Sequence, residues 1–240
     1  MKKLFDKDEV WFAVGWIVVY VLAFGNADTL SESIGVPKLL TCAVGFLLTL
    51  LLLGFVSKWK LLEYVGLCSM RGKVRDYLYF IPLILISSVN FWNGLAMNVS
   101  PLEAFLYILS MCFVGILEEL IFRGLLFKGM SKDNITAALI VSSLTFGVGH
   151  IVNLLYGAPL VDTLLQLLYA SGIGFCYTAI FLVSGSIWPC ILSHIFVNAS
   201  SVFALAPDTA FNVFTAVLVT VICVFYGLWL LRKKGMKNGI

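Results

Sequence analysis

Charge is what this sequence has least of. Only 12% of its 240 residues are Asp, Glu, Lys or Arg while 61% are hydrophobic, and the mean hydropathy is +1.01. An ordinary soluble domain carries about 25% charged residues, so this chain is excluded from that class. Histidine occurs only twice and proline six times. There is no Pro- or Ser-rich linker, low-complexity tract or internal repeat, so residues 1–240 read as a single transmembrane domain. The six cysteines (Cys42, Cys68, Cys112, Cys176, Cys190 and Cys223) form no CxxC pair and fall mostly one per apolar segment. That pattern favours packing over a redox or metal role. No nucleic-acid partner is expected.

Long apolar sequence, by contrast, is abundant. A bilayer-crossing helix needs roughly 20 mostly apolar residues, and about eight stretches qualify on that basis: 10–25, 39–57, 77–97, 101–127, 135–155, 160–184, 186–203 and 210–231. The expected fold is all-α, a polytopic membrane protein. No small-residue cleavage site follows the first stretch, so it is expected as a retained helix and not a signal peptide. The few cations segregate. Lys2, Lys3 and Lys7 precede the first stretch; Lys58, Lys60, Arg71, Lys73 and Arg75 separate the second and third; Lys128 and Lys132 separate the fourth and fifth; Arg232, Lys233, Lys234 and Lys237 follow the last. The alternate connections hold only Lys38. The positive-inside rule then puts both termini in the cytoplasm and makes the number of spans even. The basic connection from Ser57 to Asp76 either rests on anionic headgroups or is a solvated loop. The compact chain without targeting signals suggests a bacterial plasma membrane. Within the third stretch, Asn90, Asn93 and the serines of Ser87–Gly94 need partners inside the bundle or at its rim.

Only Glu118 and Glu119, of thirteen acidic residues, fall well within a span. A charge near the bilayer centre costs at least about 2.5 to 3.5 kcal/mol, which makes intramembrane carboxylates functional candidates. Both histidines, His150 and His194, also fall inside spans. Glu119 and Arg123 are spaced i,i+4 and share a helix face where they can neutralise each other. Glu118 is turned about 100° away and is the freer carboxylate. Phe146 lies four residues before His150 and is expected to stack on it, with Gly147 and Gly149 allowing close helix approach and Asn153 following. His194 shares a face with Asn198, one turn on.

Peptide hydrolysis within a membrane needs a water, a base to activate it, and donors for the oxyanion that develops on the scissile carbonyl. Two arrangements fit. In one, Glu118 and His150 hold and deprotonate the water while His194 and Asn198 stabilise the oxyanion. In the other, Glu118, His150 and His194 are ligands of a zinc ion that keeps a position open for water. At about 1.5 Å per residue, Glu118 lies roughly 15 Å from the helix end at Lys128 and His194 roughly 12 Å from Ser186. They can share a layer opening to the cytoplasm. His150 lies about 22 Å from Ile135 on the same rise, a mismatch that requires its helix to tilt or begin lower.

Glu118-Glu119-x-x-x-Arg123, Phe146-x-x-x-His150 and His194-x-x-x-Asn198 occur in that order. With Ala170–Tyr177 and the Gly-Ser turn of Ser184–His194, they resemble the CAAX-protease and bacteriocin-processing (Abi) family of intramembrane endopeptidases. The resemblance spans about residues 100 to 200, within a catalytic core at about 100–204. It implies an endopeptidase with Glu118, His150, His194 and Asn198 at its active site, acting on a peptide or lipidated protein substrate. CAAX processing, leader-peptide or bacteriocin maturation and self-immunity are the roles it suggests. The family is filed among metalloproteases.

Other readings are weaker. A His-Glu-x-x-His zinc motif is absent, and a Ser171–His194 dyad leaves Glu118, Glu119 and His150 unused. A non-catalytic immunity or peptide-binding protein is the main alternative. The charge pattern itself makes a topology prediction: Asn98→Cys should react with an impermeant maleimide only from outside intact cells. Reaction only from the cytoplasmic side reverses the topology.

Overall fold

The computed structural model describes residues 1–70 and 80–233. It is built almost entirely of helix: α1 (Lys2–Lys7), α2 (Glu9–Ser33), α3 (Leu39–Lys58), α4 (Ile81–Ser87), α5 (Pro101–Glu119), α6 (Lys128–Met130), α7 (Ile135–Val148), α8 (Leu160–Ser184), α9 (Trp188–Ser200) and α10 (Thr209–Lys233). Local chemistry sets the starts. Asp8, Ser100 and Asn134 cap α2, α5 and α7 by accepting from the amides of Trp11, Glu103 and Ala137, each satisfying one orphan N–H of a first turn. Pro101 and Pro189 occupy first turns, where no amide donor is needed. Gly185 ends α8 in the left-handed region at φ 69°, a conformation glycine adopts without penalty.

Six helices among the described residues are long and apolar enough to cross a membrane, and Trp188–Phe203 forms a shorter apolar one. The expected span at 77–97 differs. Its described part is the seven-residue α4 followed by a 3-10 turn at Val89–Phe91; residues 77–79 lie outside the described residues, as do Arg71, Lys73, Arg75, Lys234 and Lys237. The polar groups that interrupt the helix are satisfied across the bundle. Ser87 Oγ pairs with Ser193 Oγ at 2.9 Å, Asn90 Nδ2 donates to Ser200 Oγ at 2.9 Å, and Asn93 donates to the carbonyls of Leu205 and Ala206. One isolated antiparallel bridge joins Leu95 to Ala204.

The chain reversals put the basic residues together. At one end, Lys132 Nζ donates to Glu9 Oε1 at 2.6 Å, Tyr64 Oη donates to Glu9 Oε2 at 2.5 Å, and Lys128 lies 5.3 Å above the Tyr64 ring. Burial, with Glu9 second, pushes the Tyr64 phenol above its ordinary range. At the other end lies Lys38, paired with Asp28 at 2.7 Å.

Two apolar clusters fill the bundle. One joins α8, α9 and α10; the other packs α1, α2 and α3 against the chain from Leu117 to Leu126. All six cysteines are free, and four are buried in the packing. Gly115 sits where α5 crosses α9, and a methyl there would lie 2.6 Å from Ile195 Cγ1. Gly115→Ala should therefore cost about 1 to 3 kcal/mol of overpacking, read as a lowered melting temperature, and Gly115→Ala/Ile195→Ala should recover part of it. A double variant that melts lower by the sum of both singles shows that this contact does not set the spacing.

Candidate active site

The two glutamates end the regular part of α5. From Leu120 to Phe127 the chain continues as a π-helix before α6, a widened turn of the kind that recurs at functional sites. Arg123 lies on it. Its Nη1 donates to Glu119 Oε1 at 2.9 Å, and both side chains are fully buried. A lone charge here would be intolerable; the pair, with its guanidinium 4.2 Å above the Phe146 ring and 5.7 Å from Tyr177, keeps both ions compensated. Gly174 leaves room for Arg123 Nη2, which a methyl at that position would meet at 3.3 Å.

Glu119 does more than pair with Arg123. The same Oε1 lies 2.8 Å from His194 Nδ1. A ring that donates Nδ1–H to this carboxylate presents Nε2 to the other side. There it lies 3.5 Å from Glu118 Oε2. Glu118 is in turn less free than its spacing implied: Tyr20 of α2 donates to Glu118 Oε1 at 2.6 Å. Oε2 has no hydrogen-bond partner among the described residues, so the two oxygens are differentiated, one anchored and one available. Tyr20 was not singled out from the sequence, although a phenol within an apolar span needs a buried partner.

Phe146 separates the two histidines. Its ring meets His150 and His194 edge-on, each at 5.7 Å, at 85° and 84°; the expected stacking on His150 is a T-shaped contact. The α-helix ends at Val148, and His150 is the second residue of a 3-10 segment, Gly149–Tyr156. The helix carrying Glu118 runs on through the π-helical segment to Met130, past the end at Lys128 from which its depth was reckoned.

Glu118, His150, His194 and Asn198 all line one cavity of about 380 Å³, with Asn153, Phe146 and Tyr177. Asn153 is held by its Nδ2 donating to Gln166 Oε1 at 2.9 Å, a partner the sequence did not reveal. Ser193, beside His194, accepts from Tyr177 Oη at 2.8 Å. Ser171 does not reach His194: its hydroxyl donates to the Leu167 carbonyl at 2.8 Å, so no serine dyad forms.

A second cavity of about 470 Å³ shares Lys38, Met111, Glu118, Phe146, His150 and Asn153 with the first, and continues to Asp28, Thr29, Glu32 and Gly157. These lie at the end opposite the basic one. The site therefore does not open toward the N-terminus and Lys128, as the depth estimate implied. Below Glu118, Leu120, Ile121, Leu125 and Leu126 are at most 3% exposed and fill that direction.

The metal arrangement does not fit. Glu118 Oε2 and His194 Nε2 have a spacing that one ion could bridge, but among the described residues no three His, Cys, Asp or Glu side chains gather as a ligand set.

Residues 100–200 match the family model described as type II CAAX prenyl endopeptidase Rce1-like. This segment is Rce1-like. The three motifs and the cavity residues His150, His194 and Asn198 lie within it, while Tyr20 and the cavity wall on α2 lie outside. No curated protein and no solved structure matches the chain. The protein is thus a polytopic helical membrane protein in which residues 100–200 are similar to a family of CAAX prenyl endopeptidases.

Removing one member of the ion pair should strand a charge in the core. Arg123→Met is expected to lose about 3 to 5 kcal/mol in detergent melts, whereas Glu119→Gln/Arg123→Met should regain much of that, since no lone ion remains. A double variant no more stable than the single would show that the two charges do not compensate each other.

Proposed function

We propose that the protein is an intramembrane endopeptidase that hydrolyses a peptide bond of a membrane-associated or lipid-modified substrate, using water activated by Glu118. The observation that carries this reading is the convergence of Glu118, His150, His194 and Asn198 on one cavity, with Glu118 Oε2 facing His194 Nε2 at 3.5 Å but in no hydrogen bond and its partner oxygen anchored by Tyr20.

Glu118 Oε2, with His150, takes a proton from water, and the resulting hydroxide attacks the scissile carbonyl carbon. The oxyanion accepts from Asn198 Nδ2 and from an N–H of His194, which donates from Nε2 when the ring carries both protons and is held at Nδ1 by Glu119. As the C–N bond breaks, the proton on Glu118 passes to the leaving amine. Arg123 touches no reacting atom; it holds Glu119, and through it the ring. CAAX-type cleavage and maturation of a leader or bacteriocin peptide, including self-immunity, are the finer roles this chemistry would serve.

The test uses a fluorogenic prenylated CAAX peptide and a fluorogenic leader peptide with purified protein in detergent. Glu118→Gln should fold and be slower by about 10² to 10⁴. Tyr20→Phe removes one hydrogen bond to a charged group, worth about 1.5 to 3 kcal/mol, and should lower kcat by roughly ten- to a hundred-fold with little change in KM. A well-folded Glu118→Gln protein that cleaves at the wild-type rate refutes the mechanism. Glu118→Ala and His150→Ala cells that keep full biological activity favour a peptide-binding role.

A further inference from the structure

The cavity has one polar mouth and one packed end, and the cations crowd the packed end. We propose that the site is entered from the non-cytoplasmic side, so that its substrate is a peptide segment displayed on the outer membrane face, such as the membrane-proximal part of an exported polypeptide. The word substrate rests on the endopeptidase reading above; the direction of entry does not.

Three independent observations meet here. The first is the mouth. From Glu118 and His150 the cavity runs past Asp28 to Thr29 and Glu32, which are exposed, at the loop joining α2 to α3. An extended peptide carries N–H and C=O groups that each cost several kcal/mol if left unpaired in hydrocarbon. Only a polar passage can admit it, and this one is lined by carboxylates, a threonine hydroxyl and Lys38.

The second observation is the closed direction. Between Glu118 and the basic end the π-helical segment presents Leu120, Ile121, Leu125 and Leu126, all buried, to the aromatic cluster of α2 and α3. The short helix α1 completes it: Phe5 meets Phe12 at 5.4 Å and Phe55 at 5.7 Å, both edge-on. Passage from that side would require unpacking this cluster.

The third is charge. Among the described residues, Lys2, Lys58, Lys128, Lys132 and Arg232 lie at the packed end and Lys38 lies at the mouth. Lys38 is itself neutralised, its Nζ donating to both oxygens of Asp28 at 2.7 Å. Short connections rich in Lys and Arg stay in the cytoplasm, so the mouth faces outward.

Small, charged methanethiosulfonates cannot cross a bilayer, and Met111 lines both cavities without a part in the mechanism. The test places Met111→Cys, Thr29→Cys and Asn98→Cys separately in the full chain, with the wild type as the background for its own cysteines. In intact cells all three variants should gain one label, and in inverted vesicles none should. Three results overturn the proposal: Met111→Cys labelled only from the cytoplasmic face, Asn98→Cys labelled only from the cytoplasmic face, or Thr29→Cys labelled from outside while Met111→Cys is protected on both sides. Labelling needs no catalysis. An inactive protein labelled as expected would therefore refute the endopeptidase reading and leave the direction of entry standing.

Discussion

The arrangement depends on Arg123 being a buried cation. A guanidinium cannot shed its proton in a protein, so at full burial it must be compensated, and Glu119 one turn earlier supplies the opposite charge. That constraint fixes more than stability. The Glu119 oxygen that meets Arg123 also meets His194 at Nδ1, and the ring is thereby turned to offer Nε2 to Glu118. The aromatic faces of Phe146 and Tyr177 complete the cation's surroundings. Phe146, wedged between both histidines, is thus held by the ion that orients one of them.

Two adjacent glutamates consequently have different surroundings. Glu119 is wholly enclosed and held by an arginine and a histidine; Glu118 reaches the cavity with one oxygen held by a phenol and the other free for a proton. The 3.6-residue repeat separates their directions, and the π-helical segment that follows them accommodates Arg123 within the bundle.

Much of this was legible in the sequence, and the parts that were not share a cause. Hydropathy identifies stretches long enough to span, and i,i+4 spacing identifies Glu119 with Arg123, because both are properties of one helix. The break after Ser87 is a property of neighbours: Ser193 pairs with Ser87 and Ser200 accepts from Asn90, and the stretch 77–97 shows that its polar groups need partners but not which residues supply them. Tyr20 was equally silent, since its partner is 98 residues away. The direction of the cavity was misjudged for a related reason. Depth along a helix axis says how far a residue lies from each end, but not which end is packed shut, and the seal is made by α1, α2 and α3 against the Leu120–Phe127 segment.

That seal also explains why a site whose motifs all lie in the Rce1-like segment needs the chain before it. Hydrolysis in a membrane must admit water to one carboxylate while keeping it from the ion pair behind. A cavity open at both ends would hydrate Arg123 and Glu119 and relax the constraint that orients His194; one closed at both would exclude the reactant. The helices preceding residue 100 supply both boundaries. Phe5, Phe12 and Phe55 close one end, while Asp28 and Lys38 keep the other polar. Tyr20, between them on α2, holds Glu118, the carboxylate to which the proposed reaction gives the water. The early helices therefore line the site, and the asymmetry they impose lets a buried ion pair and a cavity-lining carboxylate coexist one residue apart.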